Sequence, residues 1–237
     1  MNINIKILLL YLCMVVLTYI VFHYTWTPLI LLQNTLFFIF FSLVILFFHK
    51  KYYICDLTLA SVITYIRIII SIIILSGIIN SHNPYIYNIF YTDGAIIYLG
   101  FLALILDGAD GYIARKYNQE TYIGELFDQE ADNFLILIMV ISLYMNKNIN
   151  IFAIMIPLYR YIFLASMYKF TWLSNELPRS IRRKSICIIS IFTLIIAQSV
   201  LFSDYISNNL SLFVLFIITF SFTIDIIWLY RNKYEKK

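Results

Sequence analysis

Long apolar runs alternate with short polar breaks along the whole chain. A membrane-spanning helix needs about 20 mostly apolar residues. Eight stretches meet that need, at roughly 7–26, 27–48, 57–79, 94–114, 126–145, 150–170, 186–203 and 208–230. The pattern predicts an all-α integral membrane protein with about eight transmembrane helices. The first run sits where a secretory leader would. Its apolar stretch is long and no small-residue cleavage site follows, so we read it as a retained helix. Only a Thr-Trp-Thr-Pro turn around Trp26 and Pro28 separates the first two runs. Runs three to eight read as one unit over 57–237, with 1–56 as an N-terminal two-helix extension.

Composition supports this class. The chain has 237 residues, 62% of them hydrophobic and 13% charged, with a mean hydropathy of +0.85. A soluble domain is nearer half apolar and a quarter charged. The placement of Lys and Arg sets the orientation. With the N-terminus in the cytoplasm, Lys6, Lys50, Lys51, Arg115, Lys116, Lys169, Arg179, Arg182, Arg183, Lys184 and the C-terminal basic residues all fall on the inner side. Lys147 lies outside, and Arg67 and Arg160 lie within spans. This predicts a multi-pass protein of the cell (inner) membrane with both ends inside. Cys13, Cys55 and Cys187 are too scattered for a disulfide frame and read as packing residues. No zinc-ligand spacing joins them to His23, His49 or His82. No nucleic-acid partner is expected. The 20 Tyr and 20 Phe read as lipid-facing bulk and interfacial belt.

Four aspartates break this apolar pattern. Asp107 and Asp110 are three apart at the end of the fourth run, and Asp128 and Asp132 are four apart at the start of the fifth. On helices, each pair shares a face. The intervening segment is long enough for a turn, so two antiparallel helices can bring all four carboxylates together on the cytoplasmic side. Clustered carboxylates must shed charge by protonation or bind cations. Oxygen-only ligands suit Mg²⁺ or Mn²⁺, and four carboxylates can hold two such ions. Gly111 and Ala114 are small residues beside Asp110, Arg115 can grip phosphate oxygens, and Gly124 keeps space beside Asp128. Paired carboxylates in spans also occur in cation or proton transporters, the competing class. Acids gathered at one membrane face favour the enzyme.

The residues Asp107, Asp110, Gly111, Ala114, Arg115, Gly124, Asp128 and Asp132 reproduce D-x-x-D-G-x-x-A-R, eight residues, then G-x-x-x-D-x-x-x-D. This resembles the signature of the CDP-alcohol phosphotransferase family, whose usual six-helix core would correspond to 57–230. The resemblance implies an enzyme of phospholipid synthesis. A hydroxyl acceptor attacks the phosphorus distal to cytidine in a CDP-activated lipid or alcohol, most simply CDP-diacylglycerol, and CMP leaves. CDP-choline or CDP-ethanolamine acting with diacylglycerol is the alternative. The resemblance further implies two Mg²⁺ or Mn²⁺ ions, one held by Asp107, Asp110 and Asp128 and the other by Asp110, Asp128 and Asp132. Asp132 would also be the general base. Gly111, Ala114, Arg115, Thr121 and Gly124 would line the nucleotide site, and a homodimer is an expected form.

Many members carry P-N-x-x-T-x-x-R at the start of the core. Here Thr64 and Arg67 match, while Ala60 and Ser61 replace Pro and Asn. Ser61 and Thr64 are therefore candidate nucleotide contacts. Arg67 has two readings, a structural ion pair or a substrate contact. The basic stretch from Pro178 to Lys184 reads as a loop, either anchoring against anionic lipid or binding an anionic acceptor through Arg179 and Arg182. Arg160 is a further candidate for phosphate, or a partner for Asp225.

Overall fold

The computed structural model describes residues 3–25, 27–52, 58–92, 94–117, 121–175, 177–178 and 180–233. Arg179, one of the candidate acceptor contacts, and Cys55 lie outside the described residues. All regular structure among these residues is helical: α1 (Ile3–Val21), α2 (Pro28–Tyr52), α3 (Leu59–Ile79), the short α4 (Pro84–Tyr87), α5 (Ala95–Lys116), α6 (Tyr122–Lys147), α7 (Met155–Lys169), α8 (Ile181–Ala197) and α9 (Asp204–Arg231). The eight long helices correspond one to one with the eight apolar runs.

Local chemistry sets several boundaries. Pro28 opens α2 at a position where its missing N–H is no loss. Thr58 caps α3, its hydroxyl accepting the Ser61 N–H at 3.1 Å. Asn83 and Ser203 cap α4 and α9 in the same way. Gly94 precedes α5 with φ 76°, a backbone state that favours glycine.

Five helices are long and apolar enough to cross a bilayer: Pro28–Phe47 of α2, α3, α5, Ile151–Lys169 including α7, and α9. The acidic start of α6 lowers its hydropathy, and α8 has only 17 residues. Large side chains such as Leu36, Phe40, Phe47 and Phe216 are exposed on these helices, as Leu12 and Ile20 are on α1. In water such a surface would be an association hazard; in a bilayer it faces lipid. The protein is an all-α, multi-pass membrane protein.

The chain divides into two compact units, Met1–Ala131 and Asp132–Lys237. In the first, α3 is the central helix, with an almost continuous run of buried residues from Thr64 to Gly77. It packs against α2 and α5. Apolar packing alone discriminates poorly between helices in lipid, and polar side chains supply register. Asn34 Nδ2 donates to Thr18 Oγ1 at 3.1 Å, tying α2 to α1. Ser42 Oγ and Tyr65 Oη are 2.5 Å apart, tying α2 to α3. Gly77 lets Phe90 seat flat on α3, since a Cβ there would lie 2.3–2.5 Å from the ring.

In the second unit, α8 and α9 form a closely packed hairpin. Ser207 Oγ donates to the Ala197 carbonyl at 2.8 Å. Gln198 bridges to α6, donating to the Met139 carbonyl at 2.9 Å and accepting from Ser142 at 3.0 Å. One expectation needs correction. Residues 181–184 are not loop but the first turn of α8, five residues ahead of the expected start of that run. Arg182 in that turn is anchored to Ser221 and Asp225 of α9.

Candidate functional site

The final turns of α5 carry Asp107 and Asp110, three residues apart and on one face, as expected. The first turns of α6 carry Asp128. These three carboxylates each offer an oxygen, and the three oxygens lie within 4.8 Å of one another. The site closes inward and opens outward. The side chain of Asp110 is 5% exposed, that of Asp107 13% and that of Asp128 37%.

The third wall comes from α3. Arg67 is 2% exposed. Its Nη1 lies 3.1 Å from Asp107 Oδ1, 3.2 Å from Asp110 Oδ2 and 2.5 Å from Asp128 Oδ1. Thr64, one turn earlier, donates its hydroxyl to Asp110 Oδ2 at 3.0 Å. Ser61, Thr64 and Arg67 follow one another at intervals of three along α3, a spacing that keeps them on adjoining parts of one face. Ser61 Oγ itself is 2.9 Å from Thr58 Oγ1, within the helix cap. Arg67 thus forms ion pairs with three acids at once.

A guanidinium against three carboxylates leaves a formal surplus of two negative charges. That surplus draws cations to the site. The size also fits: Mg²⁺–oxygen bonds are about 2.0–2.1 Å and Ca²⁺–oxygen bonds about 2.3–2.6 Å, so oxygens on one ion can be at most about 4–5 Å apart. The donors are all hard oxygens, as such ions require. Asp107, Asp110 and Asp128 can therefore hold a metal ion.

The remaining candidates of this unit lie along the same two helices. Gly111 and Ala114 are one turn or less beyond Asp110 on α5, and Arg115 is exposed at its end. Thr121 takes a local part: its hydroxyl accepts the Gly124 N–H at 3.0 Å, capping α6. A Cβ on Gly124 would lie 2.9 Å from that hydroxyl, so the glycine keeps the cap open.

The second unit holds the other candidates. Asp132 stands one turn beyond Asp128 along α6. Its Oδ2 accepts from Cys187 Sγ of α8 at 3.4 Å. Sequence reasoning missed this contact, because an isolated cysteine reads as packing. Arg182 donates through Nη1 to Ser221 Oγ at 2.7 Å and to the Ser221 carbonyl at 3.0 Å. Its Nη2 pairs with Asp225 Oδ1 at 2.5 Å. Asp225, the suggested partner of Arg160, is thus held by Arg182; Arg160 is half-buried on α7. Arg183 donates to the Pro178 carbonyl. A small cavity of about 200 Å³ is lined by Leu177, Pro178, Ser180, Arg182, Asp225 and Trp228.

Helices that cross a bilayer and a partly buried carboxylate cluster define a polytopic membrane protein with an acidic site that could hold a cation. A family model described as CDP-alcohol phosphatidyltransferase matches residues 57–225. The chain belongs to the CDP-alcohol phosphatidyltransferase family. It is 34% identical over 116 residues to a CDP-diacylglycerol–glycerol-3-phosphate 3-phosphatidyltransferase of Rickettsia felis, an alignment covering 48% of this chain and 60% of that protein. A protein of the same name from Rickettsia typhi is 36% identical over 77 residues, covering 32% and 42%. Ethanolaminephosphotransferase 1 of Pongo abelii is 46% identical over 46 residues, covering 19% and 12%. The matched region thus spans three-fifths or less of these relatives. No solved structure matches the chain.

Proposed function

We propose that this protein transfers a phosphatidyl group from CDP-diacylglycerol to the hydroxyl of a small polar alcohol, releasing CMP. The observation that carries this reading is the convergence of Asp107, Asp110 and Asp128 within 4.8 Å, in a chain whose family transfers substituted phosphates. Glycerol 3-phosphate is the favoured acceptor, because the bacterial relatives bear its name. The region shared with ethanolaminephosphotransferase 1 supports the second reading, a CDP-linked amino alcohol acting with diacylglycerol.

Asp107, Asp110 and Asp128 would hold one Mg²⁺ or Mn²⁺, and Asp110, Asp128 and Asp132 a second. When bound, such ions neutralise the diphosphate and stabilise charge on the departing phosphate. Arg115, exposed at the end of α5, would bind phosphate oxygens. Gly111 and Ala114 leave room for the nucleotide against α5, and Ser61, Thr64, Thr121 and Gly124 are its further proposed contacts. Asp132 would accept the acceptor hydroxyl's proton. The hydroxyl oxygen then bonds to the phosphorus distal to cytidine, the bond to the CMP oxygen breaks, and CMP departs. Arg182 and Arg160, with Arg179, are the proposed binders of an anionic acceptor. We assign 1–56 as an N-terminal extension and 57–237 as the catalytic domain. The proposed setting is a bacterial inner membrane, with the acidic site facing the cytoplasm and the protein as a homodimer.

The test is to incubate membranes containing the full chain with labelled CDP-diacylglycerol and Mg²⁺ or Mn²⁺, offering glycerol 3-phosphate, serine, inositol and inositol phosphate separately. Acceptor-dependent CMP release, absent with EDTA, is the expected result. CMP formed only from CDP-ethanolamine with diacylglycerol would select the second reading. Cation flux without CMP release would instead select a transporter.

A further inference from the structure

Arg67 is the most unusual group in the first unit. It is a guanidinium buried to 2% exposure in the middle of an apolar helix, and a single nitrogen meets three carboxylates. Two neighbouring hydroxyls complete its setting. Thr64 Oγ1 bonds Asp110, one of its partners, and Ser71 Oγ donates to the Arg67 backbone carbonyl at 2.9 Å.

The geometry makes Arg67 and a metal ion alternatives. Nη1 is 2.5–3.2 Å from one oxygen of each carboxylate, and each carboxylate offers an oxygen within 4.8 Å of those of the other two. An ion bonded at about 2.0–2.5 Å to the oxygens that Nη1 contacts, on the side where Nη1 lies, would fall within roughly 1–2 Å of it. Two cations do not share such a volume. An ion that takes these oxygens from that side displaces the guanidinium.

We propose that Arg67 is an exchangeable internal counter-ion of the carboxylate cage, which a divalent ion displaces and which then becomes available to the substrate diphosphate. This inference rests on the metal-binding reading given above. It assigns Arg67 a role in setting metal affinity and in ordering the two binding events, ion before nucleotide. The exchange is favourable in charge: one positive charge leaves three carboxylates and two positive charges arrive. The released guanidinium, desolvated and on the same face of α3 as Thr64, has a strong demand for a new anion. A diphosphate held at the cage supplies it.

The experiment uses the full chain in detergent micelles. Mn²⁺ affinity is measured by electron paramagnetic resonance for the wild type, Arg67→Lys, Arg67→Gln and Asp110→Asn. In parallel, phenylglyoxal labelling of Arg67 in the wild type is followed by peptide mass spectrometry in EDTA, in Mn²⁺, and in Mn²⁺ with CDP-diacylglycerol. Removing the competing cation in Arg67→Gln should tighten Mn²⁺ binding at least about tenfold, the scale of a lost charged hydrogen bond. Arg67→Lys should stay within about threefold of the wild type, because an ammonium still competes. Labelling of Arg67 should be slow in EDTA, fast in Mn²⁺ and slow again with the nucleotide lipid.

Equal Mn²⁺ affinity in the wild type and Arg67→Gln overturns the exchange. So does Arg67 labelling that Mn²⁺ leaves unchanged, a measurement that decides the matter even where Arg67→Gln fails to fold. Either result with normal wild-type Mn²⁺ binding leaves the metal-cage reading standing. A wild type that binds no Mn²⁺ removes that reading as well.

Discussion

Replacing Asp110 by Asn separates the cage's part in stability from its part in binding cations. Asp110 faces Arg67 Nη1 at 3.2 Å and has two other carboxylate oxygens within 4.8 Å. At an effective dielectric of about 20, the attraction is worth roughly 5 kcal/mol and each repulsion at least about 3.5 kcal/mol. The two repulsions slightly exceed the attraction, so neutralising Asp110 relieves about 2 kcal/mol of electrostatic strain. Asparagine keeps an acceptor for the Thr64 hydroxyl, 3.0 Å away, but that bond loses its charge assistance, a loss of about 1–2 kcal/mol. The net change should be near zero. For a chain of this size, about 1 kcal/mol corresponds to roughly 2–4 °C, so the melting temperature in EDTA should stay within about 4 °C of the wild type. Addition of Mn²⁺ at about 100 times its dissociation constant should raise the wild-type value by roughly 5–10 °C, from about 2.7 kcal/mol of linkage. The variant should show no such rise, and its CMP release should fall at least about 100-fold, the loss expected when one group stabilising transition-state charge is removed. Differential scanning fluorimetry with and without Mn²⁺ checks both. A fall above about 10 °C in EDTA would show that the Arg67 contact outweighs the like-charge repulsion, refuting the charge argument. A wild-type-like response to Mn²⁺ would refute the metal role of Asp110.

Three other outcomes follow from the same geometry. Asp132→Asn should lower CMP release by about 100-fold or more while leaving the melting temperature close to the wild type, as expected for loss of a general base; steady-state turnover and fluorimetry together check it. Ser42→Ala should lower stability by about 1–3 kcal/mol, because the fully buried Tyr65 hydroxyl loses its partner 2.5 Å away; thermal melts of purified protein measure this. Gly77→Ala should cost a further 1–3 kcal/mol or so by pressing a methyl into the Phe90 ring, and Phe90→Leu in the same chain should recover part of the loss. A double-mutant cycle of melting temperatures tests that coupling.

The helices and their order were legible in the sequence because hydropathy and helical period are local properties. Each apolar run had to satisfy its own backbone hydrogen bonds in lipid, and that alone dictates helix. The pairing of Asp107 with Asp110 on one face followed from a spacing of three. Other features depended on which helices touch. Arg67 stands 43 residues before Asp110 and 61 before Asp128, and only the packing of α3 against its neighbours brings one nitrogen to three acids. Its acidic partners were therefore not legible from α3 alone. Cys187 reaches Asp132 across 55 residues, and Arg182 reaches Asp225 across 43. Local sequence sets which face of a helix is polar; the tertiary structure alone decides which polar faces meet, because that depends on side chains far apart in the chain packing together.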